Sequence, residues 1–162
     1  MMSAYRLVRL MEAHAEALAT SLLDRVTASE RCTAYRRVPE DDLRYYVGQV
    51  YQRLGEWLLG KSEFDIEKHY RELGKLRARQ GVPVSQLMWV IAVMKENLME
   101  FLQREAPLDT PGELLGELRV LQLMEQFFDR ASYYAALGHE EAAARQAQEQ
   151  QSALRGAAAG SN

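Results

Sequence analysis

The chain has 162 residues, a length that suits one domain in which folding buries roughly 70% of the unfolded surface. Its net charge of −3 argues against a dedicated nucleic-acid-binding protein, and its single cysteine, Cys32, excludes an internal disulfide and a cysteine-built zinc site. Charged residues interrupt the N-terminal segment and the longest apolar run, Leu87–Met94, is too short to cross a membrane, so we expect a cytoplasmic protein.

Apolar residues at steps of three and four define the first two of five helical segments. The first segment carries one apolar stripe over Leu7–Val26. The second begins at Pro39, and the three acidic residues after it favour the positive end of the helix dipole. Gly48 and Gly55 lower helix stability, so we expect each to allow close packing of another helix, and Gly60 is expected to end the segment.

The other three segments are bounded by capping residues, glycine and proline. The third starts near Ser62 and ends at a tight corner at Gly81. The fourth begins at Pro83, is apolar on nearly all faces of its first half and is therefore predicted to run through the core, with Pro107 marking its end. The fifth opens with Thr110-Pro111-Gly112-Glu113, which is a capping box with proline at the first helical position. No strand pattern competes with these helices, so the predicted fold class is all-α.

The character of the chain changes after Gly138, which is expected to close the fifth helix. Residues 139–151 have high helix propensity and almost nothing to bury, so they form either a frayed appendage or a connector helix to a further module. Residues 156–162 are expected to be a flexible tail. We predict a helical bundle of five or more helices over residues 1–138, followed by a connector helix and tail over 139–162.

Motifs for catalysis and for metal binding are missing from the sequence. It has neither a glycine loop that would cradle phosphate nor a nucleophile elbow. None of His14, His69 and His139 has a glutamate three residues before it, so the paired Glu-x-x-His motifs of di-iron bundles are absent. The sequence therefore predicts no catalytic residue, no metal site, no cofactor and no enzyme.

The segment His69–Leu87 resembles the region of bacterial sensor globins that carries the iron-binding histidine. In that family the histidine follows an Ile/Leu-Gly pair after two more residues, and a Gly-Val/Leu-x-Pro-like corner comes soon afterwards. Here Leu73-Gly74 is followed at that spacing by Arg77, whose guanidinium has no lone pair to give to iron. The resemblance implies a globin-like sensory domain without haem, and therefore regulation rather than gas chemistry.

A candidate ligand site follows from this segment, with Arg77, Tyr70, His69 and Met94 as its predicted residues. Arg77 either lays its stem along the core and reaches water, or holds an anion in the space where haem would lie. His69 is either a partly buried structural residue or a ligand of a bound group. Met94 belongs to a methionine-bearing helix, and methionines give an adaptable interior that suits a cavity.

The fifth helix also carries a candidate dimer surface, because its aromatic pairs place one ring of each pair off the main apolar stripe. Two interpretations remain open, a thick core or a self-association surface, since exposed aromatic residues are enriched at interfaces. The predicted interface residues are Leu121, Phe127, Phe128 and Tyr134.

Several segments together resemble a narrower family, the N-terminal sensory domains of RsbT co-antagonist (RsbR/RsbRD-type) proteins of bacterial stress signalling. The resemblance spans roughly Ala15 to Glu141 and rests on Trp57-Leu58, Tyr70–Gly74, Arg77–Pro83, Phe127–Ala131 and Tyr133-Tyr134. It implies an all-helical, haem-free, globin-related homodimer whose usual output module is a STAS domain or a histidine-kinase core.

The leading interpretation is a non-enzymatic sensory or regulatory input domain of stress or two-component-type signalling, which acts through a protein partner or a tethered output domain. Two alternatives stay open: a haem-binding globin-type sensor that uses His69 or another ligand, and a structural dimerisation module without a ligand. Neither nucleic acid nor a membrane is expected as a partner. The signal, the output, and whether the chain is an excised domain or a complete protein are left open by the sequence.

Overall fold

The chain, described by a computed structural model over residues 4–106 and 111–161, is built from α-helices. Within these ranges no strand is present, which confirms the all-α prediction, and no helix there is both long and apolar enough to cross a membrane. A 3₁₀ segment, Glu30–Arg37, and a π-helical segment, Glu56–Gly60, join the helices. The helices are α1 (Ala4–Ala13), α2 (Ala15–Ala28), α3 (Glu40–Gln52), α4 (Glu63–Arg79), α5 (Val84–Glu105) and α6 (Pro111–Ala159).

The first predicted helix is divided in two, because the backbone bends at His14 (φ −107°, ψ 19°). The bend separates two packing directions. Helix α1 packs mainly on α3 and α6, whereas α2 packs mainly on α3, α5 and the 3₁₀ segment. Periodicity could not reveal the division, since the apolar stripe continues across it. The second predicted segment does end at Gly60, through the π-helical segment.

The two glycines of the second segment differ in their surroundings. A Cβ at Gly55 would lie 2.9 Å from Oε1 of Glu12, whose carboxylate accepts a hydrogen bond from the Gly55 N–H at 2.7 Å, so this glycine does allow close packing of α1. A Cβ at Gly48 would meet only the Gln52 side chain, at 3.8 Å. The prediction of close packing is therefore right for Gly55 and wrong for Gly48.

Helices α4 and α5 meet at the corner that the sequence predicts. A capping box between Ser62 and Asp65 opens α4, and hydrogen bonds from Ser62 hold the pKa of the Asp65 carboxyl below its usual range. At the other end Gly81 has φ +77°, a left-handed conformation that glycine adopts without strain. The Val82 N–H donates to the Arg77 carbonyl at 2.9 Å, which closes the turn before α5 enters the core.

Helices α4 and α6 run parallel with their backbones in direct contact. Glu63, at the start of α4, lies against Arg130 and Tyr134 of α6. Gly74, later in α4, lies against Ala135 and His139, which come later in α6, so the two helices point the same way. A Cβ at Gly74 would lie 2.0 Å from the Ala135 carbonyl oxygen, and one at Gly138 would lie 2.1 Å from the carbonyl oxygen of Arg71. The two glycines therefore let the helices approach more closely than any larger residue would permit.

Gly138 does not close the last helix, so that prediction is wrong. Helix α6 continues for 49 residues, from Pro111 to Ala159, and Gly138 is a buried contact point within it. Proline is at the first helical position as predicted, while Thr110 of the expected capping box lies outside the described residues. The expected tail is helical as far as Ala159. No residue of 143–161 is buried, so about 25 Å of helix extends beyond the packed part.

Candidate functional site

Arg77 is fully inside the fold, with 1% of the residue exposed. Its Nη1 donates to Oδ1 of Asp42 at 3.2 Å and to Oε1 of Gln80 at 2.8 Å. Gln80 Nε2 in turn donates to Oδ2 of Asp42 at 2.9 Å, which closes a three-residue network between α4 and the first turn of α3. The interpretation that Arg77 reaches water is therefore wrong. The guanidinium does hold a carboxylate, and that carboxylate belongs to the same chain.

Two tyrosine rings enclose the guanidinium of Arg77. Its Cζ lies 5.6 Å from the ring centre of Tyr35 and 5.4 Å from that of Tyr46, within the range of cation–π attraction. Burial raises the pKa of both phenols, and the nearby Asp42 carboxylate raises that of Tyr46 further. Both tyrosines therefore stay neutral, and the guanidinium is surrounded by rings rather than by water, while the Asp42 side chain is 21% exposed.

The four predicted ligand residues lie together around one enclosed cavity. Arg77, Tyr70, His69 and Met94 line it together with apolar residues of α3, α5 and α6. Its volume is about 30 Å³, close to that of a single water molecule. The phenol of Tyr70 is buried there, and burial alone raises its pKa. The four residues predicted from the sequence therefore do lie close together. That they bind a ligand stays a prediction.

A larger, open cleft lies next to this cavity, and sequence reasoning missed it. The cleft has a volume of about 380 Å³ between α3, the π-helical segment and α4. No single motif marks it, because its lining comes from three separate stretches of sequence. The aromatic residues at 45, 46 and 57 were the available signal, but their spacing does not show that they share a wall. The cleft is lined by Tyr45, Tyr46, Gln49, Arg53, Glu56, Trp57, Lys61, Asp65, Lys68, His69 and Glu72.

His69 and Tyr46 line both the open cleft and the buried cavity, so they separate one from the other. The half-buried ring of His69 has its centre 5.0 Å from that of Trp57 and 5.8 Å from that of Tyr46. Burial lowers the pKa of His69, and the positive charge of Lys61 lowers it further. A neutral imidazole at neutral pH follows from both causes.

A chain of aromatic rings joins this site to α6. Trp57 is fixed in the π-helical segment by a hydrogen bond from its Nε1 to the Gln49 carbonyl at 3.1 Å. The ring centres of Trp57 and Tyr70 each lie 5.8 Å from that of Phe127 on α6. His69 and Tyr70 are 5.0 Å apart in an edge-to-face arrangement. Movement of one ring in so dense a cluster displaces its neighbours.

The predicted dimer residues do not form a surface. Phe127 and Phe128 are each 3% exposed and belong to the core of the chain itself, a correction to the expectation that one ring of this pair faces outward. Leu121 and Tyr134 are half-buried against that core, and the Tyr134 hydroxyl donates to Glu63 at 2.8 Å. Among the described side chains of α6, the exposed large apolar ones are instead Leu115, Leu118, Tyr133 and Leu154.

Within residues 4–106 and 111–161, no three His, Cys, Asp or Glu side chains come together as a metal site would require. Cys32 is buried, and burial raises the pKa of its thiol. His139 is engaged in structure, since its Nε2 lies 2.6 Å from the Val82 carbonyl oxygen at the α4–α5 corner. His14 is exposed at the bend before α2.

A profile described as the RsbT co-antagonist protein rsbRD N-terminal domain matches residues 16–154. The match covers most of the chain, which therefore belongs to this family of regulatory N-terminal domains of stress signalling. The curated proteins and the solved structures that were compared with the chain gave no significant match.

Proposed function

We propose that the chain is a haem-free, non-enzymatic sensory input domain that controls a protein partner or a tethered output module. Arg77 is the single observation that carries this proposal. It stands at the spacing where sensor globins keep histidine, and it is committed to Asp42 in the interior. The proposal extends what family membership alone implies, which is a regulatory domain of stress signalling.

The space around Arg77 argues against haem. The enclosed cavity of about 30 Å³ is far below the roughly 300–1,000 Å³ that drug-sized ligands and cofactors occupy. Making room for a macrocycle would require removal of the Arg77–Asp42 pair from between Tyr35 and Tyr46. Displacing one partner of this pair, in which the Asp42 side chain is 21% exposed, costs about 1–3 kcal/mol. The alternative of a haem sensor rests on His69, which lines the open cleft.

The output leaves through α6 in this proposal. The part of α6 up to Ala142 packs on the bundle, and the exposed remainder has the composition of a connector rather than of a core. We therefore place the junction between the sensory unit and the connector one turn later than Gly138. The family description names RsbT co-antagonism, and we propose a partner of that kind, or a STAS or histidine-kinase output domain, in the cytoplasm.

We also propose that the protein is a homodimer that pairs along the exposed face of α6. Leu115, Leu118 and Tyr133 are 69%, 44% and 61% exposed. At about 100° per residue they lie within roughly 60° of one another, opposite the buried face. A two-fold axis would place one such apolar face against its copy.

Absorbance tests the haem-free proposal directly. Protein purified from haem-supplemented cells is expected to show no stoichiometric Soret band. A Soret band that is lost in His69→Gln would contradict the proposal and support the haem-sensor alternative. A matched His14→Gln variant controls for loss of an exposed histidine.

A further inference from the structure

We infer that the open cleft beside His69 is the entry site for a small planar anion, an aromatic carboxylate or phosphate ester, whose ring lies against Trp57 and the tyrosines. The inference rests on the proposed input role and adds the chemical class of its signal. It moves the site of binding from the enclosed cavity, where the sequence placed it, to the cleft outside.

The wall of the cleft is aromatic and supported from behind. Trp57, Tyr46 and His69 contribute adjacent rings with centres 5.0–5.8 Å apart, and Tyr45 packs edge-to-face on Tyr46 at 5.3 Å. Tyr45 is 59% exposed, so it presents an unoccupied ring face at the rim. Offset stacking of a ligand ring on such a wall contributes about 0.5–1.5 kcal/mol beyond the burial of area. The preferred ligand is therefore flat and aromatic.

The acidic residues of the cleft are already engaged. Glu56 pairs with Arg53 at 2.7 Å, and Glu72 pairs with Lys75 at 3.3 Å. Asp65 accepts the N–H of Ser62 at 2.9 Å, as part of the helix cap. Among the described residues, Arg53 is the one cation of the cleft lining with an acidic partner, so its charge is offset within the wall.

The two lysines of the cleft have no such partner. Within the described residues neither Lys61 nor Lys68 takes part in an ion pair, although the charges of both lower the pKa of Asp65 at longer range. Lys61 lies beside the Trp57 ring, with its Nζ 5.8 Å from the ring centre. Arg77, behind Tyr46, adds no further free charge, because Asp42 offsets it. The charges of Lys61 and Lys68 therefore outweigh the remaining negative charge of Asp65, and the cleft favours an anion.

Binding in the cleft would also reach the output helix. A ligand on Trp57 and His69 contacts the ring cluster that continues through Tyr70 to Phe127 of α6. Because Gly74 and Gly138 hold α4 and α6 backbone to backbone, α6 cannot remain in place when α4 shifts. A ligand that binds two packing arrangements with different affinity would thereby change the arrangement of α6.

Titration calorimetry on the full chain tests the charge and shape of the ligand. The probes are 2-naphthoate, 2-naphthamide and 2-naphthylmethylammonium, which share one ring system and differ in charge, and cyclohexanecarboxylate, which keeps the charge without the aromatic ring. We expect 2-naphthoate to bind about tenfold or more tightly than each of the others. Its affinity should fall as salt is added, since screening weakens attraction between exposed charges.

Variants locate the site. Lys61→Gln/Lys68→Gln is expected to weaken 2-naphthoate binding about tenfold, and Tyr45→Ala about threefold or more. Lys95→Gln is the matched control, because Lys95 pairs with Glu125 away from the cleft and its loss should leave binding unchanged. Equal affinity for the three naphthalene probes, unchanged binding in the double variant, or no binding by either carboxylate at millimolar concentration would overturn the inference. None of these outcomes touches the haem-free proposal, which fails on a stoichiometric Soret band.

Discussion

The burial of Arg77 could be predicted from the sequence, but the identity of its acidic partner could not. The spacing of Arg77 from Leu73-Gly74 matches the spacing that the resemblance to sensor globins predicts for a haem ligand, and the apolar face that it shares indicates burial. Its counter-charge, Asp42, lies 35 residues earlier in a run of three acidic residues that looked like helix-dipole partners. Only the side-chain contacts of Asp42 with Arg77 and Gln80 distinguish it from its two exposed neighbours, so the pair could not be predicted from local pattern.

Removal of the Arg77 charge should destabilise the fold. We expect Arg77→Met to lower the free energy of unfolding by about 1–3 kcal/mol, because the Asp42 carboxylate and Gln80 lose a buried donor. Asp42→Asn in the same background should cost less than it does alone, with a coupling of about 1 kcal/mol or more. Urea denaturation at pH 7 measures both.

The matched control for this cycle is Arg44→Met, which removes an exposed arginine whose partner Glu40 lies one turn away on α3. Such surface pairs contribute little, so a change below about 0.5 kcal/mol is expected. Additive effects of the Arg77 and Asp42 changes would contradict the account of this ion pair.

His69 should make stability depend on pH. Its folded pKa is lowered, so the unfolded chain binds a proton more readily, and stability falls as pH drops from the unfolded pKa of about 6.5 towards the lower folded value. We expect His69→Gln to reduce this loss, measured as the slope of unfolding free energy against pH. His14→Gln is the control, and an unchanged slope in His69→Gln would refute the prediction.

At the scale of elements, periodicity located the helices but not the bend or the close contacts between them. Pro39, Ser62, Gly60 and Gly81 act at or beside helix ends much as their residue types suggest. Gly138 was misjudged because glycine is both a helix stop and a close-packing residue, and sequence position alone does not separate the two roles. The partner backbone at Arg71 lies 67 residues away, and it decides the role here.

Replacing a helical glycine by alanine has two opposite effects on stability: the new Cβ can overlap a neighbouring helix, and alanine has the higher helix propensity. Comparing three glycines separates these effects. Gly74→Ala and Gly138→Ala should each destabilise the fold by about 2 kcal/mol or more, since a Cβ would overlap a backbone carbonyl. Gly48→Ala is the matched control, since its Cβ would meet only the Gln52 side chain at 3.8 Å, and it should stabilise the chain by about 0.5–1 kcal/mol. Thermal and urea unfolding measure the three, and a neutral Gly138→Ala would contradict direct contact between α4 and α6.

At the scale of the whole molecule, α6 is the longest element and has two apolar faces, one buried in the bundle and one exposed. Its buried face closes the bundle through residues such as Met124 and Phe128, and four large apolar residues among its described side chains are exposed on the opposite face. The sequence predicted the first face and assigned the aromatic residues of that face to a dimer. The error arises because a core-facing stripe and an interface-facing stripe have the same helical spacing.

Charge placed on the exposed face of α6 tests the homodimer. We expect the parent chain to have the mass of a dimer by light scattering well above micromolar concentration. Leu118→Lys with Tyr133→Lys should shift it to a monomer with unchanged helical circular dichroism, because two like charges would meet across the axis. Phe64→Lys, at a 69% exposed residue of α4, is the control. A parent that is strictly monomeric would exclude the dimer.

Hydrogen exchange of the full chain with and without saturating 2-naphthoate tests most directly whether an event in the cleft reaches the output helix. The account predicts slower exchange in the cleft peptides of α3 and α4 and also in α6 over residues 124–142, with both effects lost in Lys61→Gln/Lys68→Gln. Protection confined to the cleft, with exchange in α6 unchanged at saturation, would contradict it.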